Sequence, residues 1–325
     1  MRDPALAEKF LHRLENEDFD RIFYFCLDDF SYFFPRDFFD RLLLAGKNKN
    51  KKIEILVGIS EFVNSKREPH AENLERTFWD TYWLIKTYTF LHPQVQTTDF
   101  KYHFVSLNNR CHPWRCELLD LVAKYDLLKY GAVSWHNSND FGYQPYEFKY
   151  FDNQRRSLTD SYGIDSSQYE PPEEYKYSFA QLVSETSTNI IEISEKTATP
   201  LILGKPFLVA GAKFNTQLQT KLGFELYTEI FDYSFDSCVG QTVRFSRLLE
   251  DNFVKLTKYK LSDLLELHDL VREKLAYNQF RAREIVYSTE NWPETAKFVI
   301  DVYKTTGEVL AEEIIHLYNF VMANK

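Results

Sequence analysis

Apolar positions along the chain switch repeatedly between the two-residue period of a strand and the longer period of a helix. After a short polar helix over 4–17, "RIFYFCLDDF" (21–30) reads as a buried strand closing on two carboxylates, Asp28 and Asp29. "PRDFFDRLLLAG" (35–46) has helical spacing, with Pro35 in the first turn and Gly46 past the end. A lysine-rich turn over 47–52 leads to the strand "IEILVGIS" (53–60), completing the strand–helix–strand unit of a parallel sheet. The pattern continues through a long helix over 72–92, a strand over 101–108, a helix over 113–128 opened by Pro113, and a short strand over 131–135.

From about 136 to 176 the periodicity dissolves into a polar, Tyr-rich and turn-rich segment. A stretch this long is uncommon inside one compact domain and predicts a linker or functional lid. Beyond it come apolar runs over 178–186 and 189–194, a helix over 195–203, a strand over 206–211 and a helix over 214–223; the chain is mostly helical from 239 to 324. The expected layout is an N-terminal Rossmann-like domain over 1–140, a linker or lid over 141–176, a second Rossmann-like domain over 177–290 and a C-terminal helix over 291–325. The predicted class is therefore α/β, two facing Rossmann-like domains with a mostly helical C-terminal tail. Ligands of open α/β sheets bind beyond the carboxyl ends of the strands, so the expected site lies in the cleft between the domains.

Apolar residues make up 44% and aromatics 17% of the 325 residues, enough to offset the entropy of ordering a core. A formal net charge of −9 lacks the basic excess on which non-specific nucleic-acid binding runs, and leaves room only for a local basic pocket. Cys111 and Cys116 flank His112, but no second close Cys/His pair completes a zinc site, so no metal is expected. With Cys26 and Cys238 also scattered, the thiols fit a reducing, cytoplasmic setting. An Asp18-Phe19-Asp20 triplet precedes the first strand and reads as a loop or helix-end acid pair, not a metal site. The first residues lack the apolar core of a signal peptide, and no run is long enough to span a bilayer. Fingerprints of dinucleotide-binding folds, P-loops and α/β-hydrolases are missing.

The chemistry concentrates in "IEISEKTATPLILGKPFLVAG" (191–211). Ser194 suits an N-cap, and Glu195 in the first turn suits the positive end of a helix, so a purely structural reading is available. The same geometry offers a site: helix N–H groups for an anion, Lys196 for a phosphate, Glu195 for ribose hydroxyls, with Ser194 and Thr197 beside them. That combination suits a nucleoside diphosphate.

Together with "LGFELY" (222–227) and "FDYSFD" (231–236), this stretch resembles the donor-binding segment of fucosyltransferase-like and exostosin-like glycosyltransferases of the GT-B class. It is more similar still to uncharacterised glycosyltransferase-like proteins of bacteria, phages and large viruses, with a pattern such as "SEKTxxPLxxGKPFLVxG…LxxLGFxTF…DESYD". The matching positions here are Glu185, Glu195-Lys196, Lys205-Pro206 and Leu222-Gly223-Phe224; the terminal motif departs from the pattern as Asp232-Tyr233-Ser234-Phe235-Asp236. A second stretch, "VSLNNRCHPWRCELLDLVAKYDLLKYGAVSW" (105–135), resembles "NxRxHRxxLLxxLxxxxLLxxGxVSW" of the same proteins. It sets three potentially cationic residues, Arg110, His112 and Arg115, between a strand end and a helix start.

The resemblance implies a metal-independent, inverting hexosyl- or pentosyltransferase. A GDP- or UDP-sugar would be held mainly by the C-terminal domain through Glu185, Ser194, Glu195, Lys196 and Thr197, with Arg110, His112 and Arg115 as further donor contacts. Cations and a helix N-terminus would stabilise the leaving diphosphate. A glycan or other hydroxyl acceptor would lie on the N-terminal side. The candidate general bases are Asp28, Asp29 and His136. Two other readings fit the same residues: a non-catalytic nucleotide- or carbohydrate-binding module on this fold, and an interaction protein docking through surface aromatics and its helical tail.

Overall fold

The computed structural model describes residues 74–325 apart from 92–96, 138–142, 159–170, 190, 308 and 310, together with residues 22–26 and 53–57 and the positions His12, Arg41 and Leu44. Asp28, Asp29 and the Asp18–Asp20 pair lie outside the described residues. The strands are β1 (Ile22–Cys26), β2 (Ile53–Val57), β3 (Leu74–Phe78), β4 (Tyr102–Ser106), β5 (Gly131–Val133), β6 (Ser178–Ser184) and β7 (Phe207–Ala210). The main helices are α1 (Tyr82–Tyr88), α2 (Pro113–Lys124), α3 (Glu195–Leu203), α4 (Asn215–Lys221), α5 (Gln241–Leu248), α6 (Leu264–Tyr287), α7 (Glu294–Thr306) and α8 (Glu312–Ala323). The protein is α/β, and its chain divides into two compact units: Met1–Trp83 with Tyr287–Lys325, and Leu84–Val286.

In the first unit β1, β2 and β3 form a parallel sheet in that order, with Ile22 opposite Ile53 and Ile53 opposite Leu74. β3 corrects the helix expected over 72–92. Leu, Glu and Arg favour a helix locally, but pairing along β2 gives this segment's backbone groups their partners in the sheet, and the helix starts only at Tyr82. Trp79 packs between Tyr82 and Trp292, with ring centroids 5.6 and 5.0 Å away. The Tyr82 hydroxyl donates to Glu313 on α8 at 2.5 Å. The C-terminal helices thus belong to the unit that begins with the first residues of the chain.

The second unit holds a four-stranded parallel sheet in the order β5-β4-β6-β7. All seven residues of β6 are buried, as expected of an inner strand in a parallel sheet covered on both faces. This sheet corrects the expected domain boundary. Strands on both sides of 141–176 pair with one another, β4 with β6, so the break in periodicity lies inside a unit. Residues 143–158 are a strap. The Asp120 carboxylate on α2 accepts from the backbone N–H groups of Lys149, Tyr150 and Phe151 at 2.7–3.0 Å. Trp135 pairs with Arg156 through the backbone, and its Nε1 donates to Asn153 at 2.9 Å. Side-chain and bridge partners replace a ladder here, which is why no period shows. Of the second apolar run, 189–194, the described residues form a loop that leads into α3.

At the amino end of the sheet, Lys205 is fully buried. Its Nζ donates to the Ser178 carbonyl and lies 4.8 Å from the centre of the Tyr175 ring. Burial pulls its pKa down to about 7. His268 on α6, with its ring 5.9 Å from Phe100, has both ring nitrogens buried and without a partner among the described residues. Gly204 ends α3 at φ +68°, where a Cβ would come within 2.6 Å of Gln279 on α6.

Candidate functional site

The strand order places a topological switch between β4 and β6: the chain leaves β4 toward β5 on one side and β6 toward β7 on the other. The crevice beyond the carboxyl ends of such strands is where open α/β sheets take ligands. The residues that follow β4 and β6 meet there, along with the first turns of α2 and α3.

Glu185, directly after β6, organises this end. It is fully buried, and its carboxylate accepts from the Ser194 hydroxyl, the Thr197 hydroxyl, the Thr186 N–H at 3.2 Å and the Ser194 N–H at 3.4 Å. Ser194 is the N-cap of α3 and accepts from the Lys196 N–H at 3.2 Å. Glu185, Ser194 and Thr197, expected as ligand contacts, are thus spent on holding the start of the helix. A Cβ on Gly211, after β7, would approach Glu185 to 3.3 Å, so the lack of a side chain lets the two loops close on each other.

Glu195 and Lys196 remain partly open, with side chains 33% and 22% exposed. Lys196 Nζ donates to Glu195 and, at 3.0 Å, to the Thr186 hydroxyl. Burial works against ionisation of Glu195, but the charge and hydrogen bond of Lys196 outweigh it and hold the carboxyl below its ordinary range. The Glu195 carboxyl is therefore ionised at neutral pH and poised, beside Lys196, at the helix N-terminus.

From the other side, Trp114 Nε1 and Arg115 Nη2 both point at the Glu185 carbonyl, at 3.3 and 3.4 Å. Arg115 is buried and Arg110 exposed. His112, 1% exposed, corrects the expectation of a third cation. Burial first, then the charges of Arg115, Lys196 and Arg110, push its pKa down to about 3, so the imidazole is neutral. It stacks on Trp114 with centroids 4.8 Å apart and shares a 3.0 Å hydrogen bond with the Tyr143 hydroxyl. Two partly compensated arginines, one lysine and a neutral imidazole thus gather about two helix starts, an arrangement suited to a polyanion.

His136 stands apart from this group, beyond the end of β5. Its N–H donates to the Asn108 carbonyl at 3.2 Å. Its Nε2 is buried without a partner among the described residues, and burial, then Arg155, lower its pKa, so it too is neutral at physiological pH. Asn108 Oδ1, at the end of β4, is likewise buried without a partner among the described residues.

Four residues that shape this end carry no site assignment from the sequence. Asp236 accepts from the N–H groups of Asn215 and Thr216 and from the Thr216 hydroxyl, capping α4 from a distance. Arg244 Nη2 donates to the Gly211 carbonyl at 2.9 Å. Asp236 closes the motif 232–236, and Trp114 lies within the motif 105–135, so both could have been singled out. Tyr143 sits in the aperiodic segment, where the only sequence signal is the aromatic richness of 135–151, which suits stacking on a sugar but also ordinary packing. Among the described residues, no group of three or more His, Cys, Asp or Glu side chains is placed to hold a metal ion, and no helix is long and apolar enough to cross a membrane. Comparison with protein-family models, curated proteins and solved structures gives no match.

Proposed function

We propose that the protein is a nucleotide-sugar-dependent glycosyltransferase, inverting and metal-independent, in which each unit is a Rossmann-like domain of the GT-B kind. The observation that carries the reading is the gathering of Arg110, Arg115 and Lys196 about the starts of α2 and α3 at the switch between β4 and β6. In this reading the diphosphate of a GDP- or UDP-sugar lies against these cations, and Glu195 takes the ribose hydroxyls. An acceptor hydroxyl attacks the anomeric carbon, its proton passes to a base, and the nucleoside diphosphate leaves with its charge neutralised in place. Among the described residues the base candidate is His136, whose neutral ring has an unpartnered Nε2.

A thermal-shift panel of GDP, UDP, CMP, ADP and their sugars, with and without EDTA, tests the reading. A bound nucleotide at about 100 times its Kd stabilises the folded state by roughly 2.7 kcal/mol. The expected result is one base standing out, with EDTA neutral, and loss of the shift in Lys196→Ala and Arg115→Ala. No shift with any nucleotide sinks the proposal. A second reading, binding without transfer, draws on the existing bonds of Lys196 to Glu195 and Thr186. Product formation from the preferred sugar nucleotide separates the two.

A further inference from the structure

We infer that the strap supplies one wall of the nucleotide site: Tyr143 and Trp114, backed by the buried His112 ring, form an aromatic surface against which the nucleobase stacks, and Asp120 is a positioning residue for the strap that carries Tyr143. The inference rests on the nucleotide-binding reading above and adds the base-recognising element that the cations of that site do not provide.

The three rings touch one another at the switch point. Tyr143 lies 5.1 Å from His112 and 6.2 Å from Trp114, and Trp114 is tied to the Glu185 carbonyl at the end of β6. Tyr143 and Trp114 are half-buried, so each keeps an accessible part beside the cations that suit phosphate. An aromatic face next to a cationic pocket matches the two ends of a nucleotide, because any base has a π-face and any diphosphate a charge. A neutral His112 serves this surface better than an imidazolium, which would add unscreened charge to a hydrophobic stack.

Tyr143 is held by its own bond to His112 and by the strap that carries it, which is pinned farther along. The Asp120 carboxylate gathers three consecutive N–H groups at Lys149, Tyr150 and Phe151. Phe148 and Phe151 pack edge-on to Trp135, at 6.1 and 6.3 Å. Asp120 is buried and touches none of the three stacking rings through the hydrogen bonds it accepts. Its effect on a ligand would therefore pass through the strap.

The test is calorimetric titration of the full chain with GDP, UDP and inorganic pyrophosphate, for the unchanged protein and for Tyr143→Ala, Tyr143→Phe and Asp120→Ala. Tyr143→Ala is expected to weaken the preferred nucleotide about tenfold while pyrophosphate affinity stays within about twofold. Tyr143→Phe keeps the ring and stays near the unchanged protein, which also guards against misfolding in the alanine variant. Asp120→Ala is expected to reproduce the nucleotide-selective loss, which general destabilisation would not. Equal weakening of nucleotide and pyrophosphate, or no weakening of either, overturns the stacking role and leaves the glycosyltransferase reading standing. If the unchanged protein binds neither GDP nor UDP, the reading beneath it falls as well.

Discussion

The two ends of the sheet in the second unit each bury a charged residue completely, and they treat it in opposite ways. At the carboxyl end Glu185 accepts four hydrogen bonds from Thr186, Ser194 and Thr197. At the amino end Lys205 donates one hydrogen bond among the described residues, to Ser178, and otherwise faces the Tyr175 ring. A carboxylate with all its lone pairs engaged keeps a helix start in place; an ammonium with one carbonyl partner is pushed toward its neutral form. Burial alone does not decide whether a charge stabilises. The count of partners does.

The largest expected break in this comparison comes from Glu185→Ala. It would leave two hydroxyls and one N–H group of the α3 start, and the Thr186 N–H beside it, without their acceptor, a loss of about 4 kcal/mol, seen as a fall in Tm of roughly 10 °C. Denaturant titration of the variant checks it. A loss below about 1 kcal/mol would mean that the carboxylate is no better placed than a surface charge.

Lys205 should answer to pH instead. Its folded pKa of about 7 lies below the unfolded value of 10.5, so between those values the unfolded chain binds more protons and stability rises with pH. The gain from pH 7 to pH 9 is about 2 kcal/mol. Lys205→Met should flatten that slope and leave stability at pH 7 unchanged or higher, since an apolar side chain of similar length has no charge to bury. Urea titrations of both proteins at pH 7, 8 and 9 give the answer; a slope that persists in Lys205→Met would assign it to another group.

These two ends also mark how far the sequence could be read. The strand–helix–strand run of 101–135 and the helix–strand–helix run of 195–223 show plainly, because buried parallel strands and their crossover helices impose their periods on the chain. The capping serine of α3 was legible for the same reason: Ser194 stands at the point where one period stops and the next begins. Glu185 was legible as a residue of interest but not in its role, since whether a carboxylate faces a ligand or a helix start depends on a loop nine residues away folding back on it. His112 looked like a cation because nothing in its neighbours' identities reveals that it is buried beside Arg115. The strap was legible as a break in periodicity but not as a segment anchored within one unit. Asp120 and residues 149–151 are held by a carboxylate-to-backbone contact across about 30 positions, which leaves no period. β3 was misread because its local preference is helical, while its partner strand lies more than a helix's length away in sequence.

A smaller break should come from Asp236→Ala. Its carboxylate caps α4 as Glu185 caps α3, but through two residues, Asn215 and Thr216, and burial raises its pKa even though those donors oppose the rise. The expected loss is about 1–2 kcal/mol, that of an ordinary helix cap. A raised folded pKa also means that the carboxyl takes up its proton more readily than in the unfolded chain, so Asp236 adds no stability that is lost on mild acidification. In denaturant titrations the unchanged protein should therefore exceed the variant by at least as much at pH 5 as at pH 7. A variant as costly as Glu185→Ala would make the two caps equivalent.

The smallest effect on stability, and the sharpest test of the carboxyl end, belongs to Glu195 and Lys196. Their ion pair is part-exposed, and such pairs couple by less than about 1 kcal/mol in double-mutant cycles. Because Lys196 holds the Glu195 carboxyl below its ordinary range against the effect of burial, the pair's contribution is complete above the unfolded pKa and fades only as pH falls through the lower folded one. Glu195→Gln and Lys196→Met should therefore unfold at nearly the same urea concentration as the unchanged protein at pH 7. If the pair serves only the helix start, nothing else changes. If it serves a ribose and a diphosphate, GDP or UDP affinity drops at least tenfold, since a charged hydrogen bond to a ligand is worth about 1.5–3 kcal/mol. The same two substitutions thus separate a cap from a binding site: one leaves both measurements where they were, the other moves affinity while stability stays still.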